Sequence, residues 1–218
     1  MATVEAIQEP QRFVMRNLDW PRYRAFADVV GESHVRLTYD RGKLEFMTLS
    51  HGHERCSNLL GQFVEVLTEE LDMPRQSGQS TTFDREDLDR GLEPDQCYYL
   101  TNEPLVRDKD EIDLTIDPPP DLAIEVEITR SAINRMAIYA ALAVPEVWRF
   151  NGEALRVYNL DPDGKYVEVE RSRYFPFLSL AEVAVFLQRR TQMDETSLVR
   201  SSRQWVREQI NRGWQTSS

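Results

Sequence analysis

The chain has 218 residues, with 26 Lys and Arg against 37 Asp and Glu, a formal net charge of −11 at pH 7. That length suits one sizeable α/β core with appendages, and 41% hydrophobic with 10% aromatic residues excludes global disorder. The acidic balance opposes bulk nucleic-acid affinity, because phosphate binding draws on Lys and Arg displacing counterions; basic residues must be concentrated locally, or a metal used.

Lys43, Lys109 and Lys165 are the only lysines, so arginine carries nearly all the positive charge. Two cysteines, Cys56 and Cys97, make neither a disulfide scaffold nor a zinc set, which fits a reducing compartment. No stretch has the length of apolar residues needed to span a bilayer, and the N-terminus lacks the basic-then-apolar pattern of a signal peptide. A cytoplasmic location is the expectation.

Asp19-Trp20-Pro21 predicts a helix start, and Tyr23, Phe26, Ala27 and Val30 recur at helical spacing before Gly31. Residues 34–48 read as a hairpin, with Val35, Leu37 and Tyr39 alternating before Asp40-Arg41-Gly42, and Leu44 and Phe46 after it. The stripe Cys56, Leu59, Leu60, Phe63, Val64, Leu67 and Leu71 predicts a helix over 53–71. Strands follow at 78–84 and 94–100, separated by a turn-rich acidic stretch, while 101–117 gives no clear pattern.

Asp121-Leu-Ala-Ile-Glu-Val-Glu-Ile128 predicts a strand with Asp121, Glu125 and Glu127 on one face and Leu122, Ile124, Val126 and Ile128 on the other. Glu125 and Glu127 would lie roughly 6.5 to 7 Å apart, close enough to raise a pKa or to call for a cation. Pro118-Pro119-Pro120 precedes the strand, and Thr129-Arg130-Ser131 gives an N-cap signal for a helix carrying Ile133, Met136, Ala137, Ala140 and Ala141. An antiparallel meander is expected at 146–150, 154–160 and 165–171, then a helix from the capping box of Ser179 and Glu182 to about residue 188. Residues 191–218 are polar and Arg-rich and read as a loosely docked C-terminal helical extension, with Leu198, Trp205, Val206, Ile210 and Trp214 as its apolar residues.

Glu45 follows a helix and hairpin turn, Asp95 follows Pro94, and Glu125 and Glu127 sit on the next strand, followed by a helix. This order resembles the PD-(D/E)XK nuclease core. The stretches Gly42-Lys43-Leu44-Glu45-Phe46-Met47, Glu93-Pro94-Asp95, Pro120-Asp121-Leu122-Ala123-Ile124-Glu125-Val126, Ile138-Tyr139-Ala140 and Val144-Pro145-Glu146-Val147-Trp148 resemble the Uma-two family of restriction-endonuclease-like proteins over about residues 15–188. An isolated Pro-Asp or Glu-x-Glu is common by chance; the ordered set is specific.

The resemblance implies an α/β (α+β) fold, a mixed central sheet flanked by helices, as one restriction-endonuclease-like domain over 1–190. It implies that Glu45, Asp95 and Glu125 hold a divalent metal, Mg²⁺ or Mn²⁺, and that the chain is an endonuclease hydrolysing phosphodiester bonds of DNA. Cutting a duplex is easiest with two copies of a single-site enzyme, so a homodimer is the corresponding expectation. The sequence departs from the superfamily pattern two residues after Glu125, where a lysine is usual and Glu127 stands. In the family a basic residue on the following helix often substitutes, and Arg135 matches that position. Arginine can stabilise phosphorane charge but cannot serve as a base. Lys43, two residues from Glu45 on the same strand face, is a second candidate, and with two metals Glu127 would be an extra ligand.

Each residue also has a plainer reading. Glu125 and Glu127 suit a solvated strand face, Glu45 an ion pair with a nearby basic residue, and Asp121 a turn after the prolines. Asp95 leans toward function, because an unpaired carboxylate opening a buried strand is costly. His51 and His53 suit helix entry or a phosphate contact better than metal binding. Tyr139, Trp148 and Tyr158 suit packing, and the C-terminal arginines a solvated helix face. The missing lysine and the acidic charge also allow a catalytically inactive nuclease-fold protein, acting as an acidic binding or interaction module.

Overall fold

A computed structural model describes residues 11–31, 35–79, 81–128 and 131–215, the last three by backbone alone. The expected hairpin start at residue 34, Thr129 and Arg130 of the cap signal, and the Trp214 side chain lie outside the described residues. In chain order the elements are β1 (Arg12–Arg16), α1 (Trp20–Val30), β2 (Val35–Asp40), β3 (Lys43–Thr48), α2 (His51–Glu70), β4 (Gln76–Ser77), β5 (Phe83–Arg85), β6 (Arg90–Leu92) and β7 (Gln96–Tyr99). Then follow α3 (Glu103–Val106), β8 (Leu122–Val126), α4 (Arg135–Ala141), β9 (Glu146–Phe150), β10 (Leu155–Leu160), β11 (Tyr166–Val169), α5 (Leu180–Gln188) and α6 (Glu195–Gln215).

Among the described residues the strands form an antiparallel sheet of order β1-β3-β2-β6-β5 and a mixed sheet of order β11-β10-β9-β8-β7-β4. The hairpin therefore builds a sheet of its own rather than joining one central sheet. In it Gly42 adopts a φ of 83°, and a Cβ there would lie 3.3 Å from the Leu18 carbonyl, so the turn needs glycine. Asp19 caps α1 by accepting from the Arg22 N–H at 3.2 Å, and Tyr23 of α1 stacks on Tyr39 with ring centroids 4.6 Å apart.

In the mixed sheet β8 runs antiparallel to β7 and parallel to β9, and α4 provides the crossover that a parallel pair requires. All five residues of β8 are buried, as expected of a strand covered on both faces. Leu122, Ile124 and Val126 pack with Leu59, Leu60, Phe63 and Leu67 of α2, Val183 and Leu187 of α5, and Leu198 and Val206 of α6. Ala123, on the opposite face, packs with Ile138 and Tyr139 of α4. Burying each large apolar side chain contributes roughly 1.5–3 kcal/mol, so this double-sided burial fixes the register of β8, and with it the positions of its acids.

Four expectations change. Of the strand expected at 78–84, only Phe83 and Asp84 lie in a strand, β5 of the antiparallel sheet; β4 of the mixed sheet precedes the range, and β6 arises at the end of the turn-rich stretch. The acidic strand is shorter than expected, leaving Asp121 and Glu127 outside its ends. The helix after it begins at Arg135, not Ser131, because Asn134 supplies the cap and the Ser131 hydroxyl is directed to Glu45. Finally, α6 is firmly docked: Leu198 and Val206 are fully buried, and Arg203 and Arg207 pair with Glu70 of α2.

Candidate active site

The alternation of β8 places Glu125 on the face toward α4, and one helical turn of α4 closes over it. Arg135 clasps the carboxylate with both arms of its guanidinium, Nε to Oε2 at 2.9 Å and Nη2 to Oε1 at 2.6 Å. Tyr139, four residues further along the helix, donates its hydroxyl to the same Oε1. Arg135 Nη2 also donates to the Glu93 carbonyl at 2.6 Å, tying α4 to the residues just before β7. Burial pushes the Glu125 carboxyl above the usual range; Arg135 pulls it down and the Asp95 charge pushes it up again.

The β7–β8 register pairs Gln96 with Ile124, and one further step sets Asp95 opposite Glu125. Asp95 is 3% exposed; its Oδ2 accepts the Val126 N–H at 2.7 Å and lies 3.2 Å from His53 Nε2 in the first turn of α2. Burial presses the Asp95 carboxyl upward, but His53, Arg135 and the Val126 amide outweigh it and hold it below the usual range. The same pairing raises the His53 imidazole to about 9, against its own burial, with Glu54 assisting. Two carboxylates thus face two cations, and the buried cluster is electrically balanced.

Glu125 opens on a cleft of about 400 Å³ lined also by Glu127, Arg12, Arg149, Arg135 and the loop at 131–134. Asp95 opens on a separate cleft of about 420 Å³ beside the start of α2, with Arg36 and Arg55 in its wall. Glu45, 1% exposed on β3, accepts from Arg12 at 2.9 Å, the Ser131 hydroxyl at 2.7 Å and the Ala132 N–H at 2.7 Å. Glu127 pairs with Arg149, whose guanidinium also lies 5.8 Å from the Tyr158 ring centroid. Three arginine–glutamate pairs, Arg12–Glu45, Arg135–Glu125 and Arg149–Glu127, therefore surround the first cleft. Lys43 is exposed at the start of β3 and does not line it.

Among the described residues no three of His, Cys, Asp and Glu are grouped so as to hold a metal. Asp95 and Glu125 are hard oxygen donors of the kind Mg²⁺ and Mn²⁺ take, and Asp95 Oδ1 has no partner among the described residues. The donor chemistry of this pair fits such an ion, while both oxygens of Glu125 are engaged by Arg135. Asp121 is a structural acid: it accepts the N–H groups of Leu100 and Asn102 at 2.7 and 2.8 Å.

Sequence reasoning missed His53 as a partner of Asp95 and read Tyr139 as packing alone. Tyr139 does pack, with no exposure, but its hydroxyl also serves Glu125. Its spacing of four from Arg135 was the available signal, since residues i and i+4 share a helix face. Arg12 and Arg149 gave none, being brought in by strands distant in sequence.

The profile of the Uma2 family, described as "Putative restriction endonuclease", matches residues 20–192. No curated protein matches the chain. Families with the restriction-endonuclease-like fold generally use divalent metals and act on nucleic acid. With well over half of its length matched, and with a mixed α/β fold consistent with that class, the chain belongs to the Uma2 restriction-endonuclease family.

Proposed function

We propose that the protein is an endonuclease that hydrolyses phosphodiester bonds of DNA with Mg²⁺ or Mn²⁺. The observation that carries this reading is that Asp95 and Glu125 stand opposite each other on neighbouring strands, Glu125 opening on a cleft lined by Arg12, Arg135 and Arg149. Asp95 and Glu125 would hold the ion, which supplies Lewis-acid polarisation of the scissile phosphodiester.

The chain's own residues do the rest. Arg12 and Arg149, on the wall of the cleft, meet the phosphate, each kept in place by its glutamate. Arg135 stabilises negative charge developing at the reacting phosphorus and, always protonated, takes no proton from water. Glu45 fixes the loop at 131–132, and Glu127 orients Arg149. Lys43 lies away from the cleft and has no part in this scheme. A twofold dimer would present two such clefts to the two strands of a duplex.

Nicking of supercoiled plasmid with Mg²⁺, Mn²⁺ or EDTA tests the reading. The wild type nicks with either ion and not with EDTA, and Glu125→Ala and Asp95→Asn, shown folded by circular dichroism, do not. Nicking that survives both substitutions refutes this assignment of the site. A second reading, a non-catalytic binding module, draws on the pairing of Glu45, Glu125 and Glu127 with arginines; it calls for no nicking with either ion.

A further inference from the structure

Glu125 is already committed to a cation. Its two oxygens accept from Arg135 at 2.6 and 2.9 Å and from the Tyr139 hydroxyl, three of about four acceptor positions, so an ion bound there would sit at contact distance from the guanidinium charge. The charges point the same way. Glu125 is neutralised by Arg135 in surroundings where both side chains are nearly buried, with exposures of 9% and 13%. Adding a divalent ion without moving Arg135 would set like charges side by side on one carboxylate, which the low dielectric makes unfavourable.

Arg135 can leave by the cleft it borders, giving up its bonds to the Glu93 carbonyl and the Thr38 hydroxyl as well. It stands at the first residue of α4, where a cation is disfavoured by the helix dipole.

We infer that Arg135 and a divalent ion compete for Glu125, so that Arg135 sets the affinity of the site for its metal: the ion-free site is latched by the guanidinium, and loading requires Arg135 to swing off Glu125 into the cleft. The inference rests on the reading that Asp95 and Glu125 are the ion's ligands. It gives Arg135 a second task beside the charge stabilisation proposed above: its removal strengthens metal binding, the reverse of what removing a residue that merely supports the site would do.

Titration of Mn²⁺ into the full chain, followed by calorimetry and by the change in melting temperature, provides the test without reference to activity. Arg135→Gln is expected to bind Mn²⁺ at least about tenfold more tightly than the wild type, because a like charge is gone from beside the site. The double variant Glu125→Gln with Arg135→Gln loses that binding. Arg135→Lys, which keeps the charge but not the two-armed grip, falls between wild type and Arg135→Gln, and stands in for the glutamine variant should that one not fold. Equal affinity in the wild type and Arg135 variants, lost on Glu125→Gln, overturns the competition and leaves the ligand assignment standing. Binding that is absent throughout, or that persists in the double variant, overturns both.

Discussion

His53 Nε2 and Asp95 Oδ2 lie 3.2 Å apart in the interior, an ion pair joining the first turn of α2 to the start of β7. The imidazole is raised from 6.5 to about 9, so it is charged in the folded protein at neutral pH and mostly neutral in the unfolded chain. A group whose folded pKa is the higher one contributes stability that is complete below the unfolded value and disappears as pH rises through the folded value. Unfolding free energy from urea titrations should therefore fall by up to about 3 kcal/mol between pH 6 and pH 9.5, and His53→Gln should flatten that slope. A wild-type protein equally stable at both ends of the range would mean that His53 is neutral when folded.

Removing one partner of the Arg135–Glu125 pair leaves the other buried and uncompensated. Glu125→Ala is expected to lower stability by about 3–5 kcal/mol, whereas Glu125→Leu combined with Arg135→Met should recover much of that loss. Chemical denaturation of Glu125→Leu, Arg135→Met and the double variant measures the coupling, and additive single effects would show that the clasp contributes nothing as a pair.

Glu45 holds the loop before α4 with three donors. Glu45→Ala strands the Ser131 hydroxyl and the Ala132 amide, at a cost of about 3 kcal/mol. The Ala132 amide should exchange with solvent much faster in the variant, while amides in α2 keep their protection. Unchanged exchange at Ala132 would remove Glu45 from this role.

Two kinds of contact fasten α6, and they are unequal. Leu198 is fully buried against the mixed-sheet core, and Leu198→Ala should cost about 2–5 kcal/mol. Arg207 is 61% exposed where it meets Glu70, where water and salt screen the pair, and Arg207→Ala should cost far less than Leu198→Ala. Melting curves of the two variants, taken at low and high salt, separate the contributions; a larger loss from Arg207→Ala would reverse the ranking.

The fold was legible wherever one physical signal dominated a segment. The α2 stripe, the Asp19 cap and the Asn151-Gly152 turn between β9 and β10 lie where local spacing put them. Segments whose partners are remote in sequence were not. The edge strand β1 pairs with β3 some thirty residues on, and its residues carry no alternation that reveals it. At the site, Asp95 and Glu125 were visible as acids set among apolar strand residues. Of the groups facing them, Arg135 was singled out through the family resemblance, but His53 was not, because it reaches Asp95 from a helix whose docking no local pattern encodes. Lys43 was misjudged for a related reason: it and Glu45 share a strand face, but Glu45 lies beneath the loop at 131–132 and Lys43 stays at the exposed strand end.

The three arginine–glutamate pairs around the cleft have an effect far beyond it. Since each of those glutamates is matched by its own guanidinium, the surplus of 11 negative charges is distributed over the remainder of the molecule. A polyanion drawing near meets repulsion from that envelope first and the arginines only at short range. With a Debye length of about 10 Å at 0.1 M salt, modest ionic strength hushes the envelope while leaving contacts inside the cleft largely intact. Encounter with a polyanion should thus quicken as salt is first added and slow only at higher concentrations, the opposite of a protein steered by a basic surface.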